Sequence, residues 1–163
     1  MFYLNKYDEE SFSKIYDKYS KLILKVAYTY LKNTSISEDI MQEVFIKYIN
    51  KKPQFSNFQN EKAWFIRVTI NLCKDYLKSA WFKRQTELKD DISYLQHYEI
   101  ETLSEVLKLP EKYRIVIYLY YYESYSIKEI ASILKVKTST VGTWLSRARE
   151  CLKVSLQGGW DSE

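Results

Sequence analysis

The chain has 163 residues, of which 46% are hydrophobic and 28% are charged. This composition excludes a disordered tail and a membrane span, and it predicts one or two small soluble domains. Three glycines and two prolines are too few for glycine-rich phosphate loops or turn-dense β folds, so the predicted fold class is all-α. The net charge of +4 is compatible with an anionic partner but is too small to establish one.

Several protein classes are disfavoured by what the sequence lacks. The start has no basic and apolar segments of a signal peptide, and no apolar run reaches the roughly 18 residues of a membrane span, so we expect a cytoplasmic protein. Cys73 and Cys151 fall within helical patterns, which predicts two buried thiols rather than a disulfide. Because His97 is the only histidine, we expect no metal, no cofactor and no enzymatic activity.

The first half of the chain predicts three amphipathic helices. The first covers residues 12–31, where apolar side chains recur at steps of three and four and lysines occupy the other face. A capping box at residues 35–38 starts a second helix, which ends before Pro53. Residues 51–60 lack a helical pattern and predict a loop, and a third helix follows over residues 61–78.

The second half is separated from the first by a polar, acidic stretch. Residues 83–101 have the composition of a flexible linker, which divides the chain into predicted domains 1–82 and 102–163. A short helix is predicted over residues 102–109, and Pro110 suits the first turn of the next helix.

The end of the chain has the components of a helix-turn-helix, whose second helix enters the DNA major groove. A capping box at residues 126–129 predicts a short helix over 127–134, and a turn joins it to a longer helix with Thr138 as N-cap. The side chains expected to reach phosphates or base edges are Ser139, Thr140, Thr143, Trp144, Ser146, Arg147 and Arg149. The alternative is an ordinary helical hairpin with a solvated polar face.

A second candidate nucleic-acid surface combines the loop at residues 51–60 with one face of the third helix. It interleaves aromatic, amide and basic side chains, which together hold unstacked single-stranded bases; each base stacked on a ring contributes about 1–3 kcal/mol. The residues are Phe55, Asn57, Phe58, Trp64, Arg67, Asn71 and Lys74. The alternative, favoured by composition alone, is that these aromatic side chains belong to the core.

The start of the second helix concentrates acidic and amide side chains. Glu38 and Asp39 are explained by the helix macrodipole, whereas Gln42 and Glu43 lie on a further turn. A catalytic carboxylate pair or a metal site would need ligands, an acid or a nucleophile that the chain does not supply. The pattern therefore favours a protein-docking surface.

These segments together resemble the bacterial sigma-70 superfamily. Residues 39–45 (Asp-Ile-Met-Gln-Glu-Val-Phe) and 64–71 (Trp-Phe-Ile-Arg-Val-Thr-Ile-Asn), with Asp75, resemble its region 2. The segments that resemble its region 4 are residues 109–114, 125–131 and 140–149. The two regions in this order, with only a short spacer, are similar to the extracytoplasmic-function (ECF) group, which lacks region 3.

The resemblance implies a transcription initiation factor that directs core RNA polymerase to promoter DNA. The residues it assigns to docking on the clamp helices of the polymerase β′ subunit are Asp39, Gln42, Glu43 and Lys47. It implies that the loop and the helix bearing Arg67 and Asn71 capture a flipped base of the −10 element. The residues it assigns to the −35 major groove are Thr140, Thr143, Trp144 and Arg147. Further implied contacts are the polymerase β flap and an anti-sigma factor, which in this family is often membrane-anchored.

The sequence departs from the resemblance after Asp75, where residues 76–81 lack the arginines typical of the family, and at Gly142. Gly142 stands where the family usually has a basic residue, so a phosphate or base contact is lost and helix propensity falls by up to about 1 kcal/mol. The −35 sequence is therefore left open. Two other functions also stay open at this point: a stand-alone helix-turn-helix regulator that dimerises through residues 1–82, and a helical adaptor that binds only proteins.

Overall fold

A computed structural model describes residues 6–79 and 100–158 of the chain. Secondary structure in those ranges is entirely helical, which confirms the predicted all-α class. The helices of the first half are α1 (Lys6–Leu31), α2 (Thr34–Lys51) and α3 (Phe58–Lys78). Those of the second half are α4 (Ile100–Leu107), α5 (Glu111–Ile117), a π-helical turn (Tyr118–Tyr122), α6 (Ile127–Leu134) and α7 (Thr138–Gly158). Most of the predicted linker, residues 83–101, and His97 lie outside the described residues.

The first half is a three-helix bundle in which α1 packs against both α2 and α3. The apolar stripe predicted for the first helix supplies this core: Tyr19, Ile23 and Val26 are at most 1% exposed. Val44 of α2 and Phe65 of α3 are fully buried against them. The rings of Tyr19 and Phe65 stack with centroids 4.2 Å apart and planes inclined by 22°, and such a pair contributes beyond the area that the rings bury.

The second helix starts earlier than predicted. Asn33, not Ser35, is the N-cap of α2, and its side-chain oxygen accepts a hydrogen bond from the N–H of Ile36 at 2.9 Å. Asparagine caps a helix as well as serine does, and the earlier start adds backbone hydrogen bonds to the helix. The helix ends as predicted, with Lys52 in the left-handed conformation at a φ of 44° just before Pro53.

The third helix also starts earlier than predicted, which shortens the loop to residues 52–57. Asn57 is the N-cap of α3, and its side-chain oxygen accepts from the N–H of Asn60 at 2.8 Å. Phe58, predicted to lie in the loop, is the first residue of the helix. The first turn of α3 is exposed, so apolar periodicity could not reveal it.

The helix-turn-helix is present as α6 and α7. The predicted capping box is confirmed, because Ser126 and Glu129 each accept a hydrogen bond from the other's backbone N–H. Lys135 ends α6 in the left-handed conformation, at a φ of 55°. Thr138 is the first residue of α7 rather than its N-cap, and the carbonyl of Lys137 accepts the first backbone hydrogen bonds.

Other predictions in the second half need small corrections. The short helix α4 begins and ends two residues before the predicted range of 102–109. Pro110 is the N-cap residue of α5, one position before the predicted first turn. Cys73 is buried as predicted, but Cys151 is exposed, because the last turns of α7 extend beyond the helices that cover its earlier part. No helix in the described ranges combines the length and hydrophobicity needed to cross a bilayer.

The two halves pack against each other, with α5 against α1 and α6 against α3. Their buried side chains form one cluster that continues from one half into the other. This packing was not predicted from the sequence. Within α3, the buried apolar side chains include Phe65, Ile66, Ile70 and Leu72.

Candidate protein and nucleic-acid interfaces

The outer face of α2 holds the residues predicted to dock on another protein. Asp39, Gln42 and Glu43 are exposed and Lys47 is half-buried. The opposite face of this helix is buried in the bundle, so α2 is anchored on one side and its outer face is available to a partner. We call this outer face the α2 face.

An apolar residue on the α2 face was missed by the sequence reasoning. The side chain of Ile46 is 55% exposed, and it follows Glu43 by three positions, on the same face of the helix. Exposed apolar side chains framed by charges are typical of protein-binding surfaces. The helical spacing from Glu43 is a signal that could have found it.

The loop at residues 52–57 is backed by an aromatic cluster. Phe55 lies edge-on to Trp64 with ring centroids 5.9 Å apart, and Trp64 also contacts Tyr48 and Phe65. Phe55 and Trp64 are therefore half-buried supports for the loop. Phe58, in contrast, is 53% exposed and presents a ring to solvent.

Lys18 of α1 joins this surface, although it lies 43 positions from Glu61 of α3 in the sequence. Its ammonium nitrogen lies 4.6 Å from the centre of the Phe58 ring and 2.7 Å from the Glu61 carboxylate. The Tyr19 hydroxyl donates to the same carboxylate at 2.5 Å. Burial opposes ionisation of Glu61, but the hydrogen bonds from Lys18 and Tyr19 outweigh it and hold its pKa below the ordinary value.

Three predicted nucleic-acid contacts lie along α3. Asn71 is exposed, and Arg67 and Lys74 are half-buried. The Nε atom of Arg67 is buried with no hydrogen-bond partner in the described part of the chain. Burial, together with the nearby charges of Lys78 and Lys135, lowers the pKa of Lys74. Lys135 belongs to the turn between α6 and α7, so Lys74 faces the second half of the molecule.

The predicted groove-binding residues lie on the first half of α7. Ser139, Thr143, Ser146 and Arg147 are exposed, whereas Thr140 and Trp144 are half-buried. The Thr143 hydroxyl donates to the carbonyl of Ser139 at 3.0 Å, so it keeps its acceptor lone pairs for a ligand.

Arg149 interacts with two tyrosine side chains of the same chain. Its Nε atom donates to the Tyr121 hydroxyl at 2.7 Å, and its guanidinium lies 5.4 Å from the centre of the Tyr120 ring. Lys112, which was not predicted, lies 6.0 Å from the centre of the Trp144 ring. The basic residues beside α7 are thus set in a tyrosine- and tryptophan-lined surface.

Two family models match the chain. Residues 15–83 match the model described as Sigma-70 region 2, and residues 100–152 match the model described as Sigma-70, region 4. RNA polymerase sigma factor SigV of Bacillus subtilis is 30% identical over 140 residues, which cover 81% of this chain and 82% of that relative. ECF RNA polymerase sigma factor SigW of the same organism is 29% identical over 174 residues, which cover 94% of this chain and 93% of that relative. The chain belongs to the ECF group of the sigma-70 family.

The fold of this sigma factor is shared with solved structures of sigma factors. The sigma factor RpoE, in a complex with the anti-sigma factor NepR from Bartonella quintana, matches with a TM-score of 0.69 and 20% identity, covering 91% of this chain and 98% of that one. CnrH, in a complex with the cytosolic domain of CnrY, matches with a TM-score of 0.63 and 20% identity, covering 92% and 90%. We therefore refer to α1–α3 as region 2 and to α4–α7 as region 4. Members of this family are transcription initiation factors, not enzymes.

Proposed function

We propose that this sigma factor binds core RNA polymerase through the α2 face and directs initiation at promoters that carry a −10 and a −35 element. The observation behind the proposal is that the side chains of the α2 face are exposed. Acidic, amide and apolar side chains stay in solvent on a helix whose other face is fully packed. Charged groups steer and orient an encounter, and a desolvated apolar side chain such as Ile46 supplies affinity. The contact proposed for this face is the clamp helices of the β′ subunit.

The −10 element would be read by the loop at residues 52–57 and by the adjacent part of α3. A cavity of about 200 Å³ lies between Tyr48, the loop residues Pro53 and Gln54, and the first turns of α1. Its aromatic wall and polar rim suit a base that has left the duplex stack. Asn71 and Arg67, on the same helix, would contact the base edge and the neighbouring phosphate.

The −35 element would be read by α7 lying in the major groove. Arg147 and Thr143 are exposed on one side of this helix, and hydroxyl and guanidinium groups are the donors and acceptors that match base edges. Phosphate contacts would come from the basic residues beside the helix, including Lys112 and Arg149. Region 4 would also contact the polymerase β flap.

Regulation by an anti-sigma factor in the cytoplasm completes the proposal. Its support is the likeness to RpoE and CnrH, whose solved structures are complexes with such partners. The anti-sigma factor for this chain would hold regions 2 and 4 away from polymerase. Whether it is membrane-anchored depends on the partner and not on this chain.

Run-off transcription tests the proposal directly. Purified protein is added to core RNA polymerase with fragmented genomic DNA from its own source, and the 5′ ends of the transcripts are mapped. We expect discrete starts that share two short upstream elements. Random starts, from protein that is folded and core that is active, would contradict the proposal and favour the stand-alone regulator.

The same assay tests the reading of the −10 element. Asn71→Ala is expected to reduce run-off from cognate promoters about 10- to 100-fold, the value of one base contact of about 1–3 kcal/mol. Binding to core polymerase should be unchanged, because Asn71 lies on α3 and not on the α2 face. Unchanged transcription by this variant would contradict the assignment of Asn71 to the −10 surface.

A further inference from the structure

A groove lies beside the first turn of α3, apart from the cavity proposed for the −10 base. It has a volume of about 270 Å³ and is lined by the middle of α1, by Phe58 and Lys62 of α3, and by Glu123, which follows the π-helical turn. The two sites share no lining residue among the residues that the structure describes. We call this second site the Phe58 groove.

Positive charge predominates on the walls of the Phe58 groove. Among the described residues, three ammonium groups and one carboxylate line it, those of Lys18, Lys25, Lys62 and Glu123. Lys18 pairs with Glu61, and Lys62 pairs with Glu123, each at 2.7 Å. In both pairs the lysine side chain is more exposed than the carboxylate side chain, at 44% against 20% and at 25% against 14%. The carboxylates therefore lie deeper, and the cations are the groups that a ligand meets.

The ion pairs orient the two lysines and leave them donors for a ligand. An ammonium group has three N–H donors, and the hydrogen bond from Lys18 to Glu61 uses one of them. Both carboxylates are themselves fixed, because the Tyr19 hydroxyl donates to Glu61 at 2.5 Å and the Tyr118 hydroxyl donates to Glu123 at 2.8 Å. Since these side chains are already ordered, binding an anion costs less side-chain entropy here than on a mobile surface lysine.

An exposed aromatic ring lies beside these cations. The Phe58 side chain is 53% exposed, and the ammonium nitrogen of Lys18 lies 4.6 Å from the centre of its ring. A ligand that contacts both groups must carry a flat apolar surface and an anionic group close to each other. A nucleotide has this combination, because its base stacks on an aromatic ring and its phosphate pairs with lysine. The volume of the groove is just below the roughly 300–1,000 Å³ of small-molecule sites, which suits a single nucleotide.

We propose that the Phe58 groove binds one nucleotide, with the base stacked on Phe58 and the phosphate held by the ammonium groups of Lys18 and Lys62. Glu61 and Glu123 are positioning residues, because they orient these two lysines. The nucleotide belongs either to a single strand or to the free nucleotides in solution, since both present the same base and phosphate. The single-strand source rests on the function proposed above, because promoter opening supplies such strands, whereas the site itself does not depend on that function.

Direct binding to the purified full-length chain tests the groove. The probe is a short fluorescent oligodeoxythymidine, and its anisotropy is followed over a range of salt concentrations. Thymidine monophosphate, thymidine and inorganic phosphate are the competitors. We expect thymidine monophosphate to displace the probe at lower concentration than either of the other two, because thymidine lacks the phosphate and inorganic phosphate lacks the base.

Matched variants separate the contribution of the ring from that of the charge. Phe58→Leu removes the stacking surface and should weaken binding of the probe about tenfold, whereas Phe58→Tyr keeps a ring and should bind as the wild type does. Lys18→Gln removes one phosphate contact, so the slope of log affinity against log salt should become shallower by about 0.7. Lys128→Gln removes an exposed lysine of α6 that does not line the groove, and its slope should equal that of the wild type.

Competition between the two forms of the ligand distinguishes their sources. Displacement by thymidine monophosphate at the same concentration of nucleotide as the oligonucleotide identifies a free nucleotide as the ligand. A much tighter oligonucleotide, with the same dependence on Phe58 and Lys18, identifies a single strand. Asn71→Ala changes the proposed −10 surface but not the groove, so this variant should bind thymidine monophosphate as the wild type does.

Two results would overturn the nucleotide site. One is that neither the oligonucleotide nor thymidine monophosphate binds the folded wild-type chain. The other is binding that is unchanged in both Phe58→Leu and Lys18→Gln, because the ligand would then lie elsewhere. Neither result depends on polymerase, so each leaves the proposed function standing. Conversely, failure of promoter-specific run-off would remove the proposed function, while binding of thymidine monophosphate to the groove would persist.

Discussion

The α2 face and the candidate nucleic-acid surfaces differ in how much their side chains contact other parts of the chain. On α2, Asp39 and Glu43 point to solvent and the helix is anchored only from behind. On α3 and α7 the basic groups have internal neighbours: Lys74 lies near Lys135, and Arg149 is bound by Tyr121. The candidate protein surface is therefore exposed in this structure, whereas basic residues of the candidate DNA surfaces lie close to other side chains of the chain.

The largest expected effect tests whether the two regions share one core. Phe65→Ala removes a fully buried ring that stacks on Tyr19, and the free energy of unfolding should fall by about 3–5 kcal/mol. Chemical denaturation followed by circular dichroism should show one transition, because the buried cluster continues through both regions. Leu156→Ala, at a side chain that is 52% exposed, is the control and should change stability little. Two separate transitions in the wild-type protein would show that the regions unfold independently.

The next effect tests the α2 face. Glu43→Lys reverses a charge at the centre of this face, and its affinity for core polymerase should fall about 100-fold or more, equivalent to roughly 3 kcal/mol. Titration of labelled protein with core measures the affinity, and circular dichroism should be unchanged because Glu43 is exposed. Asp17→Lys makes the same charge change on the outer face of α1 and should bind normally. Equal loss in both variants would indicate a general charge effect instead of a docking site.

A smaller effect is expected on the acid stability of region 2. The pKa of Glu61 is below its ordinary value of 4.5 in the folded protein, so ionised Glu61 stabilises the fold above that pH. This contribution is lost as the pH falls below 4.5 through the folded pKa. Glu61→Gln should reduce the steepness of acid unfolding, measured as melting temperature against pH. An identical pH profile for the variant would show that Lys18 and Tyr19 do not stabilise the carboxylate.

The smallest effect lies in region 4. Gly142 is in the middle of a helical turn of α7, and a Cβ atom added there would meet nothing within 4 Å. Gly142→Ala should therefore raise the free energy of unfolding by up to about 1 kcal/mol through helix propensity. Gly142→Lys should in addition strengthen binding to −35 DNA if the family's usual basic residue contacts a phosphate. A destabilised Gly142→Ala would mean that the glycine is required by the backbone.

Local features of the sequence predicted which segments are helical and that Asp39, Gln42 and Glu43 lie on an exposed helix face. The capping box at Ser126 and Glu129 depends on neighbouring residues only, and it was predicted correctly. The start of α3 was misplaced because its first turn carries no apolar periodicity, and only the hydrogen bond from Asn60 to Asn57 reveals it. Ile46 was missed because its helical spacing from Glu43, which places it on the exposed face of α2, was not used.

The sequence by itself predicted the all-α class and the order of regions 2 and 4, and its assignment of residues to the candidate interfaces stays a prediction. Each of these follows from side-chain periodicity, capping chemistry or a continuous motif, all of which are local. The tertiary structure alone decided that the two regions pack against each other. At that contact Arg114 donates hydrogen bonds to the carbonyls of Thr29 and Tyr30, more than 80 positions away. Every residue has a backbone carbonyl, so the sequence does not indicate which carbonyls accept hydrogen bonds from Arg114.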